Sequence, residues 1–354
     1  MSQAFLFERK VTMDKKMRST FGVLLAAAMA LSMTGCNKED DTASAEGETT
    51  FDSAGYESRI AELESQVESL KAETSPNIGF RDKSDYILGK DNPAVSEAAA
   101  AKEQVMSDLP QFITIQGVEY STDLTTLTLN NKGLTDADIQ DLKYMVNLTE
   151  LHIYQNNISD LTPLKGLTNL QTLSLFKNNI SDLTPLAGLV SLKDLYLRSN
   201  NITDISALDG LLKLETLDLS ENNISDITPL AEMPNITLLR LNDNAISDIS
   251  ALSGMKYMDR LHLQNNQITD ITPVMGMVDM TEIYLENNII SDVEPLMSLT
   301  SLGWIKLGGN PVANLTPLTN ITGLKKLYIE GIAVSEDDMT TLAEKLPDTT
   351  IVTK

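Results

Sequence analysis

Histidines, cysteines and paired carboxylates build most catalytic and metal sites, so their number and spacing bound the chemistry open to this chain. There are two histidines, His152 and His262, and they occupy the same position of a 22-residue pattern, five periods apart. On neighbouring strands about 4.8 Å apart they would stand roughly 24 Å from each other, too far to share a metal or a proton. The single cysteine, Cys36, excludes an intramolecular disulfide, a cysteine-rich zinc site and a CxxC redox centre. One aspartate recurs per period (Asp160, Asp182, Asp204, Asp226, Asp248, Asp270, Asp292). A calcium site wants six to eight oxygens, which one carboxylate per turn does not supply. No glycine-rich phosphate loop is present, and no Ser-His-Asp order survives the spacing. The sequence therefore predicts no enzyme, cofactor or metal. What remains is contact chemistry: large rings and guanidinium groups at regular spacing, namely Tyr154, Phe176, Tyr196, Arg198, Arg240, Tyr284, Trp304 and Tyr328.

The elements that must position them follow from a fixed period. Asparagines stand at Asn156, Asn178, Asn200, Asn222, Asn244, Asn266, Asn288 and Asn310, every interval being 22. The surrounding pattern is fullest over residues 170–191, LQTLSLFKNNISDLTPLAGLVS. Leu170, Leu173 and Leu175 are expected to face inward around a short strand, Ile180, Leu183 and Leu186 to line the return path, and Leu189 to close the coil. Such a unit can cover its apolar residues only by stacking on copies of itself, which is the logic of a solenoid. Each asparagine sits where the chain leaves the strand and turns inside the coil. Its amide both donates and accepts, so it can satisfy backbone groups that water does not reach. The aspartates precede Thr-Pro-Leu or Ser-Ala-Leu steps and are read as caps of short 3₁₀ turns.

The motif resembles the 22-residue leucine-rich-repeat subclass of bacterial internalins and eukaryotic phosphatase regulators. The resemblance covers about residues 124–334. It implies an α/β solenoid: a horseshoe with a parallel sheet on its concave face, 3₁₀ and irregular segments on its convex side, and a helical or coiled-coil stalk in front. An irregular unit beginning at Leu124, with Lys132 at the asparagine position, is read as the first turn. Leu324, Leu327, Ile329 and Val334 keep the register at the far end, where Ile332 replaces the asparagine and SEDDMTTLAEKL follows as a capping helix. Unlike in internalins, neither an Ig-like module after the repeats nor a sortase-type signal is expected.

Register then places side chains between the core leucines on three concave ladders. The middle ladder reads Thr128, His152, Ser174, Tyr196, Asp218, Arg240, His262, Tyr284, Lys306, Tyr328. From residue 148 onward there are seven aromatics, and six of them fall on these ladders, Tyr257 being the exception. Binding surfaces are enriched in Tyr, Trp and Arg anchors. Strand propensity and cross-strand pairing are the competing explanation. The rings form two groups, Tyr154 and Phe176 with Tyr196, and Tyr284 with Trp304 and Tyr328, with Asp218 and Arg240 placed to pair between them.

Residues 1–36 read as a lipoprotein signal peptide. Lys15, Lys16 and Arg18 precede an apolar run too short to span as an ordinary membrane helix, and the run ends in Met33-Thr34-Gly35-Cys36. This resembles a lipobox, with Met33 in place of the usual leucine, and implies lipidation at Cys36. An ordinary cleaved signal is the other reading. Residues 37–54 are acidic and almost without apolar side chains, a flexible tether reaching roughly 25 Å. Residues 55–73 hold a short heptad seam (Tyr56, Ile60, Leu63, Val67, Leu70), read either as a weak homo-oligomer contact through residues 56–70 or as a single spacer helix. Residues 74–111 are linker and an Ala-rich helix, 112–147 an N-terminal cap with the irregular first repeat, 148–334 the repeats and 335–354 the C-terminal cap. With 50 acidic against 27 basic residues, a general nucleic-acid partner is not expected. The expectation is a lipid-anchored, extracytoplasmic surface protein whose concave face binds another protein. A cell-wall or glycan binder and a structural spacer are the alternatives.

Overall fold

The computed structural model describes residues 109–354. The signal peptide with Cys36, the acidic tether, the heptad segment and most of the Ala-rich helix lie outside the described residues. The repeats form one compact unit over Pro110–Lys354.

The unit opens with an antiparallel hairpin of β1 (Phe112–Ile115) and β2 (Val118–Ser121). Gln116 and Gly117 make its two-residue turn with φ of 47° and 79°, the left-handed pair that a tight hairpin requires. Ile113 and Ile115 point down and cover the first coil. Ten strands of three residues each follow in chain order: β3 (Thr126–Thr128), β4 (Glu150–His152), β5 (Thr172–Ser174), β6 (Asp194–Tyr196), β7 (Thr216–Asp218), β8 (Leu238–Arg240), β9 (Arg260–His262), β10 (Glu282–Tyr284), β11 (Trp304–Lys306) and β12 (Lys326–Tyr328). Each pairs in parallel with the next, as in Tyr196 opposite Asp218 and Tyr284 opposite Lys306. Helix α1 (Glu336–Lys345) then leads to β13 (Thr350–Val352), which adds an eleventh parallel strand beside β12. The fold is the expected leucine-rich-repeat horseshoe.

The core is a single column. Leu170, Leu173, Leu175, Ile180, Leu183, Leu186 and Leu189 are all buried, as are their equivalents in the neighbouring coils. The asparagines bind successive coils together. Asn222 accepts from the Ile202 N–H at 3.0 Å and donates to the carbonyls of Leu197 (3.1 Å) and Leu219 (3.0 Å). Asn178, Asn200, Asn244, Asn266, Asn288 and Asn310 repeat this arrangement. Asn156 accepts from both Lys132 and Leu134 of the irregular first coil. Every bond of this set that crosses between coils runs to the preceding one, so the amide ladder and the leucine column fix the same stacking register.

On the convex side each aspartate accepts the N–H two residues ahead, as Asp182 does from Thr184 at 2.8 Å, and so holds the entry to the 3₁₀ turn Thr184–Leu186. Six other repeats do the same from Asp160 to Asp292, and Asn314 takes the role ahead of Thr316.

Candidate functional site

Because strand register is constant, side chains two apart on one strand and at equal positions on adjacent strands share the concave face. Three-residue strands carry the first and second ladders. The third, with Tyr154, Phe176, Arg198 and Glu286, lies just beyond the strand ends, where bonds such as Ser199 N–H to Ser220 O (3.0 Å) continue the pairing.

At one end Tyr154 and Phe176 stack face to face, their centroids 4.1 Å apart and planes inclined by 14°. Tyr196 on β6 is half-buried, and burial together with the Asp194 carboxylate pushes its phenol up from the ordinary value. Arg198 is engaged with a neighbour: its Nε donates to Glu221 Oε1 at 2.9 Å, and Ser199 donates to the second oxygen of the same carboxylate. These bonds hold Glu221 below the usual carboxylate range.

In the middle of the face Arg240 lies 3.7 Å from Asp218 Oδ2, the cross-strand pair that register predicts. Asp218 Oδ1 is occupied by the Ser220 N–H at 3.1 Å and by the Ser220 hydroxyl.

At the other end the stack is longer than the rings alone. His262 packs on Tyr284 with centroids 4.3 Å apart, and Lys306 Nζ sits 4.3 Å above the Tyr284 ring and 5.3 Å from that of Tyr328. Cation and ring quadrupole attract in this geometry. Burial and the cations Arg240, Arg260 and Lys306 lower the His262 pKa to about 4, so its imidazole is neutral at pH 7. Glu286, 3.6 Å from Lys306, is pushed up chiefly by burial. Tyr284 Oη donates to Glu282 at 3.2 Å. Trp304 is the most open ring of the two groups, at 37% exposure.

The expected rings are thus all on the concave face, but their exposure is less than register alone implies. Tyr154, Phe176, Tyr196, Tyr284 and Tyr328 are half-buried because rings and alkyl stems on adjacent strands shield one another. His262 and Lys306 belong to the second group although they were not singled out. The available signal was their place on the middle ladder next to Tyr284, one on each side. Tyr257, 65% exposed, lies instead in a groove shared with Lys193, Lys213, Glu215, Asn235 and Thr237. Among the described residues no group of three or more His, Cys, Asp or Glu side chains could hold a metal ion. No described helix is long and apolar enough to cross a membrane.

Comparison with known proteins agrees with this architecture. A family model described as leucine-rich repeats (2 copies) matches in overlapping copies at residues 146–188, 168–210, 190–232, 212–254, 234–274 and 258–298. No curated protein matches the sequence. Among solved structures, internalin C2 of Listeria monocytogenes is 36% identical over 52% of this chain and 82% of its own, with a TM-score of 0.50. The functional domain of InlJ from the same organism is 22% identical over 66% of this chain and 55% of its own, with a TM-score of 0.52. A TDR receptor is 18% identical over 66% of this chain and 43% of its own, with a TM-score of 0.59. The InlJ domain is described as including a cysteine ladder. Here the ladder is asparagine, and the chain's one cysteine precedes the repeats. Fold and repeat define a leucine-rich-repeat protein. Within that class the chain is internalin-like.

Proposed function

We propose that the protein is a bacterial, internalin-like surface lipoprotein of the 22-residue repeat subclass, anchored through Cys36, whose concave face binds another protein in adhesion or partner recognition. The observation that carries the reading is the placement of six of the seven aromatics after residue 148 on one face, with Trp304 open to solvent. Solenoids of this kind use their extended concave surface for binding, and aromatic anchors with a nearby arginine are the residues that dominate interface energetics. Tyr154, Phe176, Tyr196 and Arg198 form one contact group, and Tyr284, Trp304 and Tyr328 the other, with Arg240 between them. The heptads of residues 56–70 add a weak self-association that raises avidity at a membrane.

The test is affinity capture from host and bacterial surface extracts by the full chain, with a Tyr196→Ala/Trp304→Ala variant in parallel. A partner retained by the wild type and lost by the variant, at equal melting temperature, supports the reading. Equal retention by both removes the concave face from the function.

A second reading, a cell-wall or glycan binder, is favoured by one feature: the parallel-stacked, half-buried Tyr154–Phe176 pair places aromatic rings, the groups on which sugars stack, on the concave face. A glycan array and a peptidoglycan pull-down separate it from protein binding, since only this reading predicts saccharide retention that a Phe176→Ala change abolishes.

A further inference from the structure

The chain is strongly acidic, with a net charge of −23, yet the middle of its concave face gathers cations. Arg240, His262, Tyr284 and Lys306 are consecutive members of the middle ladder, in register on β8, β9, β10 and β11. Arg260 is on β9, two residues before His262 and on the same face. Each of the three cations stands in a loose ion pair with one carboxylate: Arg240–Asp218 is 3.7 Å, Arg260–Asp259 3.4 Å and Lys306–Glu286 3.6 Å. Arg198, by contrast, is hydrogen-bonded to Glu221. Two of the opposing carboxylates are partly occupied by other donors, Asp259 by the Thr281 hydroxyl at 2.6 Å, while Glu286 Oε2 is buried without a hydrogen-bond partner. Asp218 accepts from Ser220 at Oδ1, the oxygen that does not face Arg240.

We propose that this cluster, Arg240, Arg260 and Lys306 around His262, is an anion-binding subsite that receives carboxylate side chains from an acidic segment of the partner protein. It rests on the concave face being the binding surface and specifies the partner's chemistry there. Two guanidinium groups offer planar, forked donors suited to carboxylate oxygens. Lys306, held over Tyr284 and Tyr328, adds a third positive charge without needing to be drawn in from solvent. After burial, these three cations are what lowers the His262 pKa, so all three stand close to its ring. Trp304 and Tyr328 on one side and Tyr196 on the other supply the apolar contacts that a charged contact alone lacks.

Trp304 is the only tryptophan in the chain and stands on β11, two strands from Arg260. Its fluorescence in the full chain is therefore a direct reporter. The probe is acetyl-hexaglutamate amide, with the hexaglutamine and hexalysine counterparts and inorganic phosphate as separate arms. The expected result is a saturable change with hexaglutamate, absent with hexaglutamine and hexalysine, weakened by added salt, and weakened about tenfold or more in Arg240→Gln/Arg260→Gln. That tenfold loss corresponds to about 1.4 kcal/mol. With two histidines in the chain, the His262 imidazole is also resolvable by NMR, and its pKa is expected to rise when hexaglutamate is bound. Circular dichroism and the unfolding midpoint verify that the variant is folded, and Lys306→Met provides an independent loss of charge. An equal response to hexaglutamine, or an undiminished response in both variants, overturns the subsite. Tighter saturation by phosphate than by hexaglutamate overturns the acidic-segment class. A captured partner whose retention depends on Trp304 but not on Arg240 and Arg260 overturns the subsite while leaving the concave-face reading intact.

Discussion

The amide of each ladder asparagine serves two coils at once. Replacing Asn222 with alanine strands the Ile202 N–H and the Leu197 and Leu219 carbonyls inside the coil. The expected loss is about 2–4 kcal/mol in denaturant unfolding, from the penalty for buried groups left without partners. The exposed Asp226, which binds only the residue two ahead, should lose far less on the same change. The ladder was legible because a buried polar residue every 22 positions has few other uses. The residue before it was not. Gln155, Lys177, Ser199, Glu221, Asp243, Asn265 and Asn287 all have φ between 54° and 58°, and only the later ones are types that tolerate the left-handed region. Lys177→Val should cost about 1–2 kcal/mol, and Lys177→Gly should cost nothing or stabilise, a contrast that a pair of urea curves resolves. His262 gives a pH dependence with a definite sign. The unfolded imidazole takes up its proton near pH 6.5, the folded one only near 4. The unfolded state then binds more protons between those values, so stability is full above pH 6.5 and falls as pH drops toward 4. Glu286, raised by burial, acts in the opposite direction. Unfolding midpoints of His262→Gln across that range should show a shallower acid loss than wild type.

At the scale of elements, the repeat predicts its own strands and 3₁₀ turns, and the ends are where it fails. The C-terminal helix was legible from Ser335 followed by Glu336, Asp337 and Asp338. Ser335 accepts the Asp338 N–H at 3.0 Å, and its hydroxyl donates to the Asp338 carboxylate at 2.8 Å. Ser335→Ala should therefore cost about 1 kcal/mol, measured as a lower unfolding midpoint. Strand β13 was not foreseen. Three residues, Thr350–Val352, carry no periodicity of their own, and their strand pairs on the edge that β12 presents. At the other end the β1–β2 hairpin forms a separate sheet and leaves β3 as the edge strand, and it covers the core instead, with Ile113 and Ile115 closing the column that Leu127 begins.

At the scale of the molecule, stability is shared between neighbours, while the proposed binding falls to the positions the repeat leaves free. That division explains which parts of the candidate site were readable. Register put each ring on the concave face without reference to a structure. It did not reveal that Tyr154 and Phe176 would stack, that Arg198 would be tied to Glu221, or that His262 and Lys306 would continue the second group, because these depend on side-chain directions between coils. The acidic surface favours solubility, and a local positive centre in it would select partners by charge as well as by shape. The most direct measurement is the affinity of the captured partner for three folded single variants: Trp304→Ala and Tyr196→Ala on the concave face, and Asp204→Ala on the convex one. Binding through the concave rings predicts that Trp304→Ala weakens affinity by about thirtyfold, the scale of a hot spot of roughly 2 kcal/mol, that Tyr196→Ala also weakens it, and that Asp204→Ala leaves it unchanged. Unchanged affinity in both concave variants, or a loss confined to Asp204→Ala, would contradict it.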